Sequence, residues 1–290
     1  MLCSLCPRKC KVERSKESGS GFCKVGSDPV IAKCMIHRWE EPCLLSENGT
    51  GAVFFSSCTL GCVYCQNYDL SHGAFGKSVS AERLAEDIRR LVEEEKADSV
   101  DLVTGTQFLP AIIKALEIYR PPVPVIWNSG GYERTETLRA LRGLVDIYLP
   151  DFKTLSPRLA SLLMDAPDYP SAAESAIAEM VSQTGVPVYN GRGQMLSGTL
   201  IRLLVLPGCT GDACRVLDRI AERYEGIPVS LMGQYIPVRE TGVKGLERRL
   251  TQKEYDRVLE HMLALGIGGY SQELTAADAK YTPVFDLSGV

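Results

Sequence analysis

Between residues 51 and 235, short apolar runs alternate with helical periodicities, and the alternation repeats about six times. Few folds accept such a pattern. "AVFFSS" reads as a buried strand, and after it Ser80 caps a helix with Leu84, Ile88, Leu91 and Val92 at helical spacing. "SVDLVTG" is a second strand, followed by a helix marked by Ile112, Ile113 and Leu116. "VPVIWNSGG" is a third, followed by a helix predicted to carry Leu138, Leu141 and Leu144. "VDIYLPD" is a fourth, and Ser156-Pro157 opens the next helix in the residue order that favours helix starts. An insert over about 166–198 holds a further helix and the polar turn "NGRGQ". "TLIRLLVLPG" and "GIPVSLMGQY" supply the fifth and sixth strands. Thr251 and Glu254 form a capping box for a late helix with Tyr255, Val258, Leu259 and Met262.

Repeated strand–helix units argue for a parallel sheet with helical crossovers. An open doubly wound sheet and a partial barrel both satisfy that pattern. The strand ends favour the barrel, since nearly all finish in small or polar residues: Cys58, Gly105-Thr106-Gln107, Asn128-Ser129-Gly130, Asp151-Phe152-Lys153, Pro207-Gly208 and Gln234-Tyr235. Ligand sites gather at such ends, and six of them share one mouth more easily in a curved sheet. The expected fold class is α/β, a partial (β/α)6 TIM-like barrel over residues 46–290, preceded by a small Cys-rich, metal-binding segment over 1–45.

With 290 residues, 45% of them hydrophobic, the chain can bury one large core. A net charge of −4 leaves no footprint for nucleic acid or anionic membrane. No run approaches the ~20 apolar residues of a membrane span, and "MLCSLCPRKC" lacks the apolar centre of a signal peptide. A cytoplasmic location is expected. The 11 cysteines are clustered, which in a reducing compartment reads as metal ligation before disulfides.

Three of them crowd into "SCTLGCVYCQN" at residues 57–67, in the order C-x3-C-x2-C, with no fourth nearby. Structural zinc wants four ligands. A 4Fe–4S cube held by three cysteines leaves one iron free to take a substrate or cofactor. Zinc with a distant fourth ligand, or three ordinary buried thiols, are the blander readings. The spacing, with an aromatic residue before the last cysteine, resembles the radical S-adenosylmethionine (radical SAM) superfamily. "CSLCPRKC", "HRWEEPC", "CQN", "VTGTQFLP", "WNSGGYE", "DIYLPDFK", "SLMGQY" and "YTPVFDLSGV" together are similar to a branch related to pyruvate formate-lyase-activating enzyme.

That resemblance implies an enzyme in which Cys58, Cys62 and Cys65 hold a 4Fe–4S cluster and S-adenosylmethionine chelates its open iron. Reductive cleavage would then give methionine and a 5′-deoxyadenosyl radical for hydrogen abstraction. It implies a glycyl radical protein as the first candidate substrate, another peptide or a small molecule as the second, and flavodoxin or ferredoxin as reductant. Tyr64 matches the motif's aromatic beside adenine. Gly105 and Thr106 stand at the strand end that meets the cofactor's amino group, without the acidic residue often found there. Asn128 and Ser129 resemble a cofactor-contacting polar pair. Asp151 and Lys153 match an Asp-x-Lys pattern, whose ammonium suits the cofactor's carboxylate; pairing with a neighbouring acid stays open. Arg202 lies inside "LIRLLVL", where a charge must be paired, and is placed in the barrel interior. Gln234 and Tyr235 are placed at the adenosine end.

Cys3, Cys6, Cys10 and Cys23, spaced C-x2-C-x3-C-x12-C, suit four-coordinate zinc or a second iron–sulfur cluster, with Cys34 and Cys43 as substitutes for one ligand. Cys209 and Cys214 read as ordinary cysteines. His37, His72 and His261 are scattered, and His72 lies just past the cysteine loop. Glu40 and Glu41 read as acid–base groups or as ion-pair partners of the basic residues beside them. A non-catalytic electron carrier is the rival class; it accounts for the cysteines but not for the polar strand ends.

Overall fold

The computed structural model describes residues 2–44, 47–272, 274 and 283–290. Its strands are β1 (Val30–His37), β2 (Thr50–Phe55), β3 (Lys77–Ser78), β4 (Ser99–Val103), β5 (Val125–Ser129), β6 (Ile147–Pro150), β7 (Val188–Tyr189), β8 (Met195–Thr199), β9 (Ile201–Leu204), β10 (Val229–Met232) and β11 (Gly269–Ser271). The helices are α1 (Tyr68–His72), α2 (Ala81–Glu93), α3 (Leu109–Ile118), α4 (Thr135–Arg139), α5 (Pro157–Met164), α6 (Tyr169–Thr184), α7 (Thr210–Arg223) and α8 (Gln252–Ala264).

Strands β2, β4, β5, β6 and β8 run parallel in that order, and β9, β10 and β11 continue in parallel. The fifth strand read from the sequence, starting at Thr199, takes in only the last residue of β8 and continues as β9, and both pieces run beside β6 and its extension at Asp151. Gly198 and Thr199 pair with Ile147 and Tyr148, and Arg202 bridges Asp151. That bridge joins the two halves of the sheet into one curved wall, the partial α/β barrel expected.

Five strands escaped the sequence reading: β1, β3, β7, β8 except for its last residue, and β11. β1 lies within the segment read as 1–45 and pairs antiparallel with β2, so residues 30–37 belong to the main sheet. Its "VIAKCMIH" hides a strand because Lys33 interrupts it; the stem is buried while Nζ donates to Val284 O at 2.6 Å and Asp286 Oδ1 at 3.0 Å. β11 is short and Gly-rich. Gly269 sits at φ +144, and a Cβ there would lie 2.0 Å from Val229 O, so only glycine lets β11 close on β10. The helix after β5 is also shorter than predicted. α4 ends at Arg139, and Leu141 and Leu144 follow in turns, each donating its N–H three residues back (to Leu138 O and Leu141 O).

Side chains alternate across the wall. Trp127 and Tyr148 pack outward with Leu84, Ile88, Ile112 and Leu116 of α2 and α3. Ile126, Ile147, Leu149 and Leu200 point the other way, where Cys43 and Leu44 plug the barrel. One layer nearer the mouth, the inward positions turn polar: Asp101, Asn128, Asp151, Arg202 and Ser230. The helix starts follow the predicted caps. Ser80 accepts from Arg83 N, Ser156 from Leu159 N, and Thr251 and Glu254 cap each other.

Candidate active site

The polar layer opens into a cleft of about 310 Å³ at the C-terminal ends of the strands. The loop after β2 carries Cys58, Cys62 and Cys65, and all three line the cleft. Gly61, at φ +61, makes the turn between the first two. The loop is held from both sides. Val63 N donates to Leu163 O at 2.9 Å, and the His72 ring, stacked on Tyr68, lies 3.1 Å from Gly61 O. Leu60 fits against Gly130, where a Cβ would come within 2.7 Å of its Cδ1. Burial pushes the Cys62 thiol up to about 12, with the Lys153 ammonium working against it. Binding a metal therefore displaces a proton from this sulfur.

Opposite the cysteines stands a charged network. Asp151 accepts from Lys153 Nζ at 2.6 Å and from Arg202 Nε at 2.9 Å, while Arg202 also donates to Asn128 Oδ1 at 2.6 Å. Asn128 Nδ2 in turn donates to Asp101 Oδ2 at 3.0 Å. Burial disfavours the Asp151 anion, but Arg202 and Lys153 outweigh it and hold the carboxyl below its usual range. Burial likewise opposes the Lys153 charge, and Asp151 overcomes it, so the ammonium stays protonated. Asp101 is the reverse case. It is fully buried, its Oδ1 has no donor among the described residues, and burial together with nearby Glu40 pushes it well above the carboxylate range. Burial and the neighbouring Glu40 thus favour the neutral carboxyl of Asp101 over its anion.

Of the residues singled out in the sequence, Cys58, Cys62, Tyr64, Cys65, Asn128, Ser129, Asp151, Lys153, Arg202, Gln234 and Tyr235 line this cleft. Gly105 and Thr106 do not. Gly105 packs on Ile112 and Trp127, Thr106 donates to Glu133 Oε1 at 2.8 Å, and Val103 and Thr104 face the cleft instead. Glu133, unremarked in the sequence, accepts from Thr106, from Trp127 Nε1 at 2.8 Å and from Ser129 Oγ at 2.7 Å. It ties the ends of β4 and β5 together, which turns the Ser129 hydroxyl to the wall. His37, Trp39, Glu40 and Glu41 supply a further wall, with Glu41 accepting from Ser230 Oγ at 2.6 Å. Cys34 and Cys43 are buried in the cores, so neither substitutes among the N-terminal cysteines. Cys209 and Cys214 lie at the start of α7 and His261 pairs with Asp218, none of them lining the cleft.

The donor set suits an iron–sulfur cube. Three thiols face one cleft, and the Leu60 amide donates to Cys58 Sγ at 3.3 Å. Among the described residues no three Cys, His, Asp or Glu side chains are spaced as around a single ion. A cube does not ask for that, since each thiolate meets a different iron.

A parallel barrel with three thiols at its mouth, facing buried charge, defines a class of cofactor-dependent enzymes that bind at strand ends. The radical SAM superfamily model matches residues 52–213, and the chain belongs to that superfamily, which implies a 4Fe–4S cluster and S-adenosylmethionine. An uncharacterized protein of Methanocaldococcus jannaschii is 27% identical over 268 residues, covering 89% of this chain and 73% of its own. In fold the chain is similar to a radical SAM methyltransferase from Sphaerobacter thermophilus (TM-score 0.54, 14% identity, 76% of this chain and 65% of that one). It is also similar to SuiB of Streptococcus suis (TM-score 0.50, 14% identity, 77% and 49%). The chain thus spans less than two thirds of either solved structure's length. Among the described residues, no helix is long and apolar enough to cross a membrane.

Proposed function

We propose that Cys58, Cys62 and Cys65 bind three irons of the 4Fe–4S cluster, that S-adenosylmethionine takes the fourth, and that hydrogen is abstracted from a glycine of a partner protein. When bound, these cofactors supply reductive cleavage to methionine and a 5′-deoxyadenosyl radical. The observation that carries the reading is the shared cleft: three thiols on one side and the Lys153–Asp151–Arg202–Asn128 network on the other.

The chain's own residues divide the work. Lys153 has three N–H donors, and Asp151 is its one acceptor among the described hydrogen bonds, which leaves donors for the cofactor's carboxylate. Asp151 holds that ammonium in place. Tyr64, 6% exposed, supplies an apolar face beside the cluster ligands. The wall formed by His37, Trp39, Glu40 and Glu41 lies outside the superfamily match and is free to select the substrate. The glycyl-radical assignment draws on "CQN" and on the Asp-x-Lys of "DFK", with a flavodoxin or ferredoxin as the electron source.

The test is 5′-deoxyadenosine formation by protein reconstituted without oxygen, reduced, and mixed with S-adenosylmethionine. The native chain should form it, and a Cys58→Ala/Cys62→Ala/Cys65→Ala variant should not. Lys153→Met should keep its iron but bind S-adenosylmethionine about tenfold more weakly, as losing one charge-assisted contact of ~1.5 kcal/mol predicts. An electron paramagnetic resonance doublet on a glycyl radical protein supplied as substrate would support the substrate assignment. Turnover with no doublet, but with a changed peptide or small molecule, would reassign it.

A further inference from the structure

A second cysteine site stands behind the first. Cys3, Cys6, Cys10 and Cys23 all line one pocket of about 20 Å³. Thr59, the residue next to Cys58, lines the same pocket. The backbone around the thiols is bent to present them. Lys9, Lys11 and Lys24 adopt φ of +44, +54 and +55, values that L side chains rarely adopt, and they flank Cys10 and Cys23. The Phe22 amide donates to Cys10 Sγ at 3.4 Å, and the Arg14 guanidinium reaches Cys3 Sγ at 3.8 Å. Hydrogen bonds to sulfur are one of the ways proteins stabilise cluster thiolates.

The spacing of the thiols bears on the occupant. Zinc draws its thiolates in to about 2.3 Å, which leaves no water-sized gap between them. Here the four cysteines line such a gap together, and among the described residues no three of them are spaced as around a single ion. Thiolates that each meet a separate iron of a cube stand apart in this way, as do those of the loop after β2. We propose that Cys3, Cys6, Cys10 and Cys23 hold a second 4Fe–4S cluster, one with all four irons ligated by the protein.

Contacts bind this site to the first cluster's loop. Arg8, between Cys6 and Cys10, donates to Thr59 O at 3.1 Å, Leu60 O at 3.2 Å and Met164 O at 2.8 Å, and stacks over Phe22 at 3.7 Å. Ser57 Oγ donates to Cys23 O at 2.5 Å. The cluster therefore occupies a fixed place against the residue next to Cys58.

The decisive experiment uses the full chain with Cys58→Ala/Cys62→Ala/Cys65→Ala, reconstituted with iron and sulfide without oxygen, so the result does not depend on any activity. The expected result is about four irons and four sulfides per chain, with a cluster absorption band that dithionite bleaches. Native protein should carry about eight irons. One zinc per chain, iron without sulfide, or no metal in a variant whose circular dichroism matches the native fold would each overturn the proposal. Adding Cys6→Ala and Cys10→Ala to the triple variant should abolish the remaining cluster. If iron and sulfide persist there, the site lies elsewhere.

Discussion

Two aspartates in the polar layer carry opposite pH dependences. Asp151, held below its ordinary pKa by Arg202 and Lys153, stabilises the fold in full above the unfolded value of about 3.9. That contribution is lost as pH falls through its lower folded value. Asp151→Asn should remove it and leave two buried cations without their counter-charge, at about 3–5 kcal/mol in chemical denaturation at pH 7. Asp101, raised by burial and by Glu40, stabilises the protonated fold at low pH and loses that contribution as pH rises through its folded value. Asparagine reproduces the protonated carboxyl: its oxygen accepts from Asn128 and its amide faces Glu40. Asp101→Asn should therefore stay within about 1 kcal/mol of the native protein at pH 7 and decline less at alkaline pH, as thermal melts across pH would record. A large loss at pH 7 would show that Asp101 is ionised.

The elements were readable where a single run of residues decides the outcome. Most residues of the six central strands are buried, so these strands appear as mainly apolar runs with single polar residues inside them. α8 announces itself through Thr251 and Glu254, which bond each other's backbone N–H as the capping box requires. Thr251→Ala should cost about 1 kcal/mol, seen as a shifted urea midpoint with an unchanged slope. β1 and β11 were not readable, because their pairing depends on partners that local pattern does not report: the edge of β2 for one, and a glycine fitted to β10 for the other. The site divides in the same way. Arg202 stood out as a charge in an apolar strand, and Asp101 in "SVDLV" carries the same signal. Glu133 and Arg8 gave none, since the groups they organise are brought to them only by the tertiary fold. Gly105 and Thr106 were misplaced for a related reason: Glu133 and Trp127 claim them for the wall.

At the scale of the whole molecule, the N-terminal segment, the loop after β2 and the end of α5 meet through Arg8. Arg8→Ala would leave the carbonyls of Thr59, Leu60 and Met164 without this donor, a loss of about 1–3 kcal/mol. Limited proteolysis of that variant should release the segment before Val30 ahead of any cut in the barrel, whereas native protein should resist at both places. The same junction also fixes an order in time. Cys58, Cys62 and Cys65 leave the ribosome early, but Leu163 and Met164, which shape their loop, follow about a hundred residues later, roughly 5–20 s at ordinary rates of synthesis. During that interval the three thiols belong to a nascent chain without a site, exposed to oxidants and stray metals. Cluster delivery is therefore expected to come after translation has passed α5, once these contacts can form.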